Sequence, residues 1–164
     1  MRENIGIDLG TATVIIYING KGIVLKEPSV IAIEKKTNKI IAVGDKAKKM
    51  IGRAPKDIEI IEPLSEGVIS NFTATTLMLK QFMKKVNTSK LGSTRIMICI
   101  PSQTTDVEKR AVLDAINQLE NAKKIYLIEE PVAAAIGAGI DISKPCGNLV
   151  IDIGGGTTDI AVIS

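Results

Sequence analysis

The sequence predicts an α/β fold built on a mixed β-sheet with flanking helices. Short extended segments separated by turns fill the first part of the chain, and amphipathic helices alternate with apolar strands in the rest. Isoleucine is the most frequent residue, whereas only two Phe, two Tyr and no Trp occur, so the core is built from β-branched side chains that favour strands. Hairpins give antiparallel pairs and strand–helix–strand crossovers give parallel ones, hence the mixed sheet.

The first part of the chain has the pattern of consecutive hairpins. Asn19-Gly20 separates two alternating apolar segments, and Thr37-Asn38 separates the next pair. The predicted strands are 5–9, 14–18, 22–26, 30–33 and 40–43, followed by a short lysine-rich helix at 45–50. The turns and charges up to residue 63 suggest a small lobe inserted into the main sheet.

Helices and strands alternate after Asn71, the expected N-cap of the first long helix. The apolar face of that helix contains Phe72, Leu79, Phe82, Met83 and Val86. Thr105 and Glu108 have the capping-box spacing that begins a second helix. Its predicted buried stripe contains Val107, Ala111, Ala115 and Leu119. The remaining predicted elements are strands 95–100, 124–128, 148–153 and 160–163 and an alanine-rich helix at 132–138.

The composition excludes several kinds of site. Without histidine there can be no Ser-His-Asp triad, Cys-His pair or His-ligated zinc. Cys99 and Cys146 have neither disulfide-framework nor metal-ligand spacing, so structural roles are expected. The net charge of +3 is mild and no aromatic platform accompanies it, which disfavours nucleic-acid binding. No apolar run has the length of a signal or transmembrane segment, which favours a cytoplasmic location.

One strand–turn–strand pattern occurs twice. Residues 7–11 read Ile-Asp-Leu-Gly-Thr, and residues 151–159 read Ile-Asp-Ile-Gly-Gly-Gly-Thr-Thr-Asp. Two copies at the same point of a strand–turn–strand unit suggest a duplicated fold that would set the turns opposite each other across a cleft. Glycines and threonines let backbone N–H groups and hydroxyls approach a phosphate. Asp8 and Asp152 would then hold Mg²⁺ through its waters; the alternative is that both are ordinary β-turns with Asp as turn former.

Glu129-Glu130-Pro131 is the third informative segment. It follows a strand and opens the alanine-rich helix, and open α/β sheets place their ligands at such strand ends. One of the two carboxylates could orient or deprotonate a water that attacks a terminal phosphate; alternatively, both complement the helix dipole. Neither G-x-x-x-x-G-K-[ST] nor G-x-G-x-x-G occurs, which excludes the P-loop and Rossmann types of phosphate site.

These motifs resemble the ATPase superfamily of actin, sugar kinases and heat-shock chaperones, and within it the MreB/Mbl family of bacterial actin homologues. The segments that carry the resemblance are IGIDLGTA, GKGIVLKEPSVIAI, PLSEGVI, TDVEKRAVLDA, YLIEEPVAAAIGAG and GNLVIDIGGGTTDIAVIS. It implies an actin-like (ribonuclease H-like) fold and ATP with Mg²⁺ as cofactors. The implied phosphate-binding residues are Gly10, Thr11, Ala12, Thr13, Gly154, Gly155, Gly156, Thr157 and Thr158, with Asp8 and Asp152 at the metal and Glu130 and Thr157 in catalysis.

The resemblance also implies a domain organisation. Residues 1–32 and 72–147 would form a large subdomain, 33–71 a small inserted subdomain, and 148–164 the start of a second large subdomain, so the chain would correspond to the N-terminal half of the family. Position 13 is Thr where the family usually has Asn. Leu91-Gly92 stands where members often carry an exposed Leu-Phe membrane contact, near the basic residues Lys84, Lys85, Lys90 and Arg95.

MreB-like proteins polymerise on ATP binding into membrane-associated filaments that organise cell-wall synthesis and rod shape. The implied partners are therefore other protomers, the cell-wall elongation machinery and the inner face of the cytoplasmic membrane. Two other functions stay open at this point: a sugar- or acetate-kinase-type phosphotransferase of the same superfamily, and a truncated remnant that does not turn over ATP.

Overall fold

The computed structural model describes residues 3–86, 94–119 and 122–164, so Lys90, Leu91 and Gly92 lie outside the described residues. The strands are β1 (Glu3–Leu9), β2 (Thr13–Ile18), β3 (Gly22–Pro28), β4 (Ile31–Glu34), β5 (Ile40–Val43), β6 (Ile58–Ile61), β7 (Leu64–Ser65), β8 (Val68–Ile69), β9 (Thr94–Ile100), β10 (Ala122–Glu129), β11 (Asn148–Ile153) and β12 (Thr158–Ile163). The helices are α1 (Asp45–Lys48), α2 (Phe72–Lys85), α3 (Asp106–Asn117) and α4 (Glu130–Gly137).

A five-stranded sheet in the order β10-β9-β1-β2-β3 forms the centre of the fold. β1 pairs antiparallel with β2, and β2 with β3, whereas β9 runs parallel to both β1 and β10. The predicted mixed α/β sheet is confirmed. Because β1, β9 and β10 are parallel, their carboxyl ends at Leu9, Ile100 and Glu129 meet at one edge, where open α/β sheets place ligands.

The main core lies between this sheet and the two long helices. Alternate residues of β1 and β9 are buried, as the period of two in a strand requires: Ile5, Ile7, Leu9, Ile96, Ile98 and Ile100. α2 and α3 pack against them with Met78, Leu79, Phe82, Val112 and Ile116. The core is thus aliphatic apart from Phe82, as the composition predicts.

Both predicted helix starts are confirmed. The Asn71 side chain accepts a hydrogen bond from the Ala74 N–H at 3.0 Å. The Thr105 N–H donates to Glu108 Oε2 at 2.7 Å, and the Glu108 N–H donates to Thr105 Oγ1 at 3.4 Å, which completes the capping box. Phe72, the first residue of α2, is 38% exposed, and the buried residues of that helix begin at Ala74.

The predicted stripe of α3 is wrong at its start. Val107 is 80% exposed, and the buried residues are Val112, Ala115, Ile116 and Leu119. A spacing of four residues advances about 400° around an α-helix, so a strict four-residue repeat drifts by about 40° at each step. Val107 lies three such steps from Leu119, so it is about 120° away from the buried face on which Leu119 lies.

A second, three-stranded antiparallel sheet has the order β5-β4-β6. Ile31, Ile33 and Val43 pack into the main core, whereas Val30, Ala32 and Ala47 form a separate cluster beneath α1. α1 ends at Lys48, two residues before the predicted end. β7 and β8 form a small ribbon after this sheet, and their turn contains Glu66 and Gly67, both with positive φ.

β11 and β12 form an antiparallel hairpin, and α4 packs against both of its strands. α4 begins at Glu130, two residues earlier than predicted, because Pro131 fits the first turn of a helix. The other face of the hairpin exposes Leu149, Ile151, Ile153, Ile160 and Val162. Within the part of the chain that the structure describes, no third strand pairs with this hairpin.

No helix among the described residues combines the length and apolar character needed to cross a membrane.

Replacing Leu79 by Ala should lower the free energy of unfolding by about 2–5 kcal/mol, because Leu79 is completely buried between helix and sheet and the truncation leaves a cavity. Urea denaturation followed by circular dichroism measures the loss. Val107→Ala is the matched control, and its effect should stay within about 0.5 kcal/mol because the side chain is exposed. Equal losses in the two variants would contradict this description of the core.

Candidate functional site

A cavity of about 310 Å³ lies at the carboxyl edge of the five-stranded sheet, between the two repeated turns. The predicted site residues that line it are Asp8, Gly10, Thr11, Ala12, Thr13, Glu130, Asp152, Gly154, Gly155, Gly156 and Thr157. Thr158, also predicted for the site, is the first residue of β12 and is not among the lining residues. The chain folds so that segments more than a hundred residues apart in sequence meet at one cavity.

The two turns are closed by the same backbone hydrogen bond. The Gly10 N–H donates to the Thr13 carbonyl oxygen at 3.2 Å, and the Gly154 N–H donates to the Thr157 carbonyl oxygen at 2.9 Å. Each bond spans three residues and starts two residues after an aspartate, Asp8 or Asp152. The sequence repeat is therefore also a structural repeat.

The turns approach each other so closely that two positions have no room for a side chain. A Cβ placed on Gly155 would lie 2.3 Å from the Ala12 Cβ, and one on Gly156 would lie 2.9 Å from the Thr11 Cβ. Real Cβ atoms do not come this close, so these two glycines are required by the contact between the turns. Gly155 and Gly156 of the second turn occupy the positions that Thr11 and Ala12 occupy in the first turn.

Two residues outside the predicted site support the first turn. Ser29 donates through its hydroxyl to the Gly10 carbonyl oxygen at 2.6 Å and through its N–H to the Ala12 carbonyl oxygen at 3.1 Å. The Gly67 N–H, in the turn between β7 and β8, donates to Thr11 Oγ1 at 2.9 Å. The first turn is therefore held by segments that precede and follow the three-stranded sheet.

Three carboxylates line the cavity, those of Asp8, Glu130 and Asp152, and the pKa values of two of them are raised. Burial, followed by the charge of Asp152, raises the pKa of Asp8. Burial, then the charges of Asp159, Asp8 and Asp152, raises the pKa of Glu130 to about 7. The site thus concentrates negative charge, and an anionic phosphate would be repelled from it unless a cation or a proton intervened.

Asp159 belongs to this group although it was not among the predicted site residues. Its Oδ1 accepts a hydrogen bond from Ser102 Oγ at 2.8 Å and one from the Ser102 N–H at 3.3 Å. This contact joins the end of β9 to β12. Asp159 is the last residue of the second sequence repeat, so the repeat could have identified it as a site residue. Only the fold places Ser102 beside Asp159.

Cys99 also lines the cavity. Burial, with the charges of Asp8, Glu130 and Asp152, raises the pKa of its thiol to about 12, so the group stays protonated and is a poor nucleophile. Cys146 is exposed in the loop before β11.

The raised pKa of Glu130 predicts a pH dependence of stability. The folded chain keeps this proton up to about pH 7, whereas an unfolded glutamate releases it near pH 4.5, so the folded state binds more protons between these values. The free energy of unfolding should therefore fall as the pH rises from about 4.5 to about 7. Urea denaturation across this range checks the sign.

Glu130→Gln should flatten that fall, since an amide does not titrate, whereas Glu129→Gln, a change at the preceding residue, should retain it. Identical slopes in the wild type and in Glu130→Gln would contradict the assignment of the raised pKa to Glu130.

Comparison with known proteins identifies the family of this chain. The family model described as MreB/Mbl protein matches residues 2–164. The chain is 54% identical over 163 residues to the cell shape-determining protein Mbl of Bacillus subtilis and 47% identical over 168 residues to the cell shape-determining protein MreB of Escherichia coli. Each alignment covers 99% of this chain but only 49% and 48% of the relative, so the chain spans about half the length of these proteins.

Solved structures give the same result. MreB5 of Spiroplasma citri bound to ADP matches with a TM-score of 0.90 and 40% identity, covering 100% of this chain and 49% of the other. The MamK double helical filament matches with a TM-score of 0.82 at 21% identity, a likeness in fold alone. The predicted actin-like fold is confirmed, and the chain belongs to the MreB/Mbl family.

Proposed function

We propose that the cavity binds the phosphates of ATP together with Mg²⁺, and that the longer protein to which this half corresponds hydrolyses ATP within a cytoskeletal filament. The observation that carries the proposal is the pair of facing turns, closed by the same Gly-to-Thr hydrogen bond, with Glu130 between them. Small residues at both turns leave backbone N–H groups accessible to anionic oxygens, which is the chemistry of a phosphate site.

Nucleotide binding is supported by the related MreB5, whose structures contain ADP and AMPPNP. The cavity suits the phosphates rather than the base, because most of its lining residues are turn glycines, threonines and carboxylates. We therefore assign the phosphate contacts to the first turn, residues 10–13, and to the second turn, residues 154–157, with Thr158 at its end.

The carboxylates of the site fit a divalent cation. Asp8, Asp152 and Glu130 line one cavity, and a cation there would offset the burial and the neighbouring negative charges that raise the pKa of Asp8 and Glu130. Among the described residues, no three carboxylate or cysteine groups cluster tightly enough to hold a metal by themselves. Asp8 and Asp152 would therefore hold Mg²⁺ largely through its waters and the phosphates, and the ion would neutralise phosphate charge.

Glu130 has the position and the ionisation of a general base. It opens α4 at the end of β10, and its pKa near 7 lets it accept a proton from water at neutral pH. We propose that Glu130 orients and deprotonates the water that attacks the terminal phosphate, and that Thr157, on the facing turn, helps to hold this water. Glu129 is exposed and caps the helix without a side-chain hydrogen bond.

We propose control of cell shape from the relatives Mbl and MreB, which are named cell shape-determining proteins. Filament formation is proposed with it; MamK, which shares the fold alone, is a double helical filament. Other protomers would be the partners, with the cell-wall elongation machinery as a further partner. The proposed domain division keeps residues 1–32 and 72–147 as the large subdomain, 33–71 as the small one, and 148–164 as the start of another.

Contact with an anionic membrane surface is proposed for the segment around residues 84–95, in a chain that otherwise resides in the cytoplasm. Lys84 and Arg95 are exposed and could contribute about 1 kcal/mol each at such a surface. Lys85 contributes less, because it forms an ion pair with Glu27.

Replacing Glu130 by Ala tests the proposed chemistry. In the longer protein, this change should lower the ATP turnover rate by about 10²- to 10⁴-fold, the usual contribution of a general base, whereas the affinity for Mg-ATP should stay within a few-fold of wild type. A coupled phosphate-release assay and isothermal titration calorimetry measure the two quantities.

Glu129→Ala is the matched control and should leave turnover unchanged. Unchanged turnover in Glu130→Ala would overturn the assignment, and ADP release that depends on an added sugar or acetate would favour a small-molecule kinase. Absence of Mg-ATP binding to the 164-residue chain would favour an inactive remnant.

A further inference from the structure

Ser29 lies where the five-stranded and three-stranded sheets meet. It follows β3, whose last residue Pro28 pairs with Thr13, and one residue, Val30, separates it from β4. This register places Ser29 directly beside Ala12 in the first turn. The residue is only 1% exposed, although a serine side chain is polar and costs free energy to bury unless its hydroxyl is bonded.

Both donors of Ser29 are used on the first turn. The hydroxyl donates to the Gly10 carbonyl oxygen at 2.6 Å, and the N–H donates to the Ala12 carbonyl oxygen at 3.1 Å. One buried residue therefore fixes two of the peptide groups in the Gly10–Thr13 turn. A third bond, from the Gly10 N–H to the Thr13 carbonyl oxygen, closes the turn itself.

The direction of these carbonyl groups determines what the turn can bind. A peptide group carries its N–H and its C=O on opposite sides, so a carbonyl tied back to Ser29 turns the N–H of the next residue the other way. For Gly10 and Ala12, those next N–H groups belong to Thr11 and Thr13, which line the cavity. A peptide that rotated by half a turn would instead present an oxygen to an anion and repel it.

We propose that Ser29 is a positioning residue of the first turn: it holds the Gly10 and Ala12 carbonyl groups out of the cavity and thereby keeps the following N–H groups available for phosphate oxygens. This role rests on the proposed phosphate-binding function. Ser29 does not contact the nucleotide and acts only through the turn.

The test compares Ser29→Ala, which removes the hydroxyl bond and keeps the N–H bond, with Ser29→Thr, which restores a hydroxyl. The matched control is Thr75→Ala. Thr75 is also fully buried, and its hydroxyl donates to a backbone carbonyl, that of Asn71, at 2.9 Å, but it lies in α2 and does not line the cavity. Both alanine variants lose a buried hydroxyl that donates to a backbone carbonyl oxygen, and Thr75→Ala also loses a buried methyl group and a second, longer bond to the Pro63 carbonyl oxygen at 3.4 Å. The control should therefore lose at least as much stability as Ser29→Ala.

Two measurements on the 164-residue chain separate positioning from stability. In the nucleotide-free chain, hydrogen exchange of the Gly10 N–H should accelerate several-fold in Ser29→Ala and stay at the wild-type rate in Thr75→Ala, after correction for global unfolding. By calorimetry, Mg-ATP affinity should fall roughly ten-fold in Ser29→Ala, recover in Ser29→Thr, and stay unchanged in Thr75→Ala.

The outcomes distinguish this proposal from the proposed function. Unchanged Gly10 exchange in Ser29→Ala overturns the positioning role, and so does accelerated exchange with unchanged Mg-ATP affinity. If the wild-type chain bound neither Mg-ATP nor inorganic tripolyphosphate, the proposed phosphate-binding function would be wrong, and Ser29 could not position the turn for phosphate. The exchange result would still decide whether Ser29 orders the turn. If Ser29→Thr is too unstable to measure, the contrast between the two alanine variants decides.

Discussion

The close contact between the two glycine-containing turns is the constraint on which the rest of the structure depends. A Cβ on Gly155 would overlap Ala12, so the second turn can meet the first only without a side chain at that point. The first turn ends β1 and the second joins β11 to β12, so this contact seats the hairpin against the five-stranded sheet. Asp8 and Asp152, each two residues before the start of its turn, line the cavity between the turns.

Electrostatics then determines what the cavity can hold. Asp8, Glu130 and Asp152 line the cavity, and burial there, followed by the charges of Asp159, Asp8 and Asp152, raises the pKa of Glu130 to about 7. Such a site disfavours a bare anion and favours an anion that arrives with a divalent cation. The burial and the repulsion that cost stability at neutral pH also leave Glu130 able to exchange a proton with water, so the destabilisation and the proposed chemistry have the same physical origin.

Local patterns predicted both turns and most elements, because apolar periodicity, capping residues and the Asp-x-Gly repeat each lie within a few neighbouring residues. The strands β6, β7 and β8 were not predicted. The local patterns failed where tertiary geometry decides: Val107 is exposed because a four-residue repeat drifts around a helix. Ser29, Gly67 and Ser102 reach the site through the pairing of sheets, and no nearby pattern singles them out. The roles of the predicted site residues in binding and catalysis remain predictions.

The most direct test of a single phosphate site shared by the two turns measures nucleotide binding at both turns in one titration. In a ¹⁵N-labelled sample of the chain titrated with Mg-ATP, the amide resonances of residues 10–13 and 154–157 should shift along one binding curve with one Kd, because one phosphate group contacts both turns. Shifts confined to one turn, or two curves with different Kd values, would contradict a shared site.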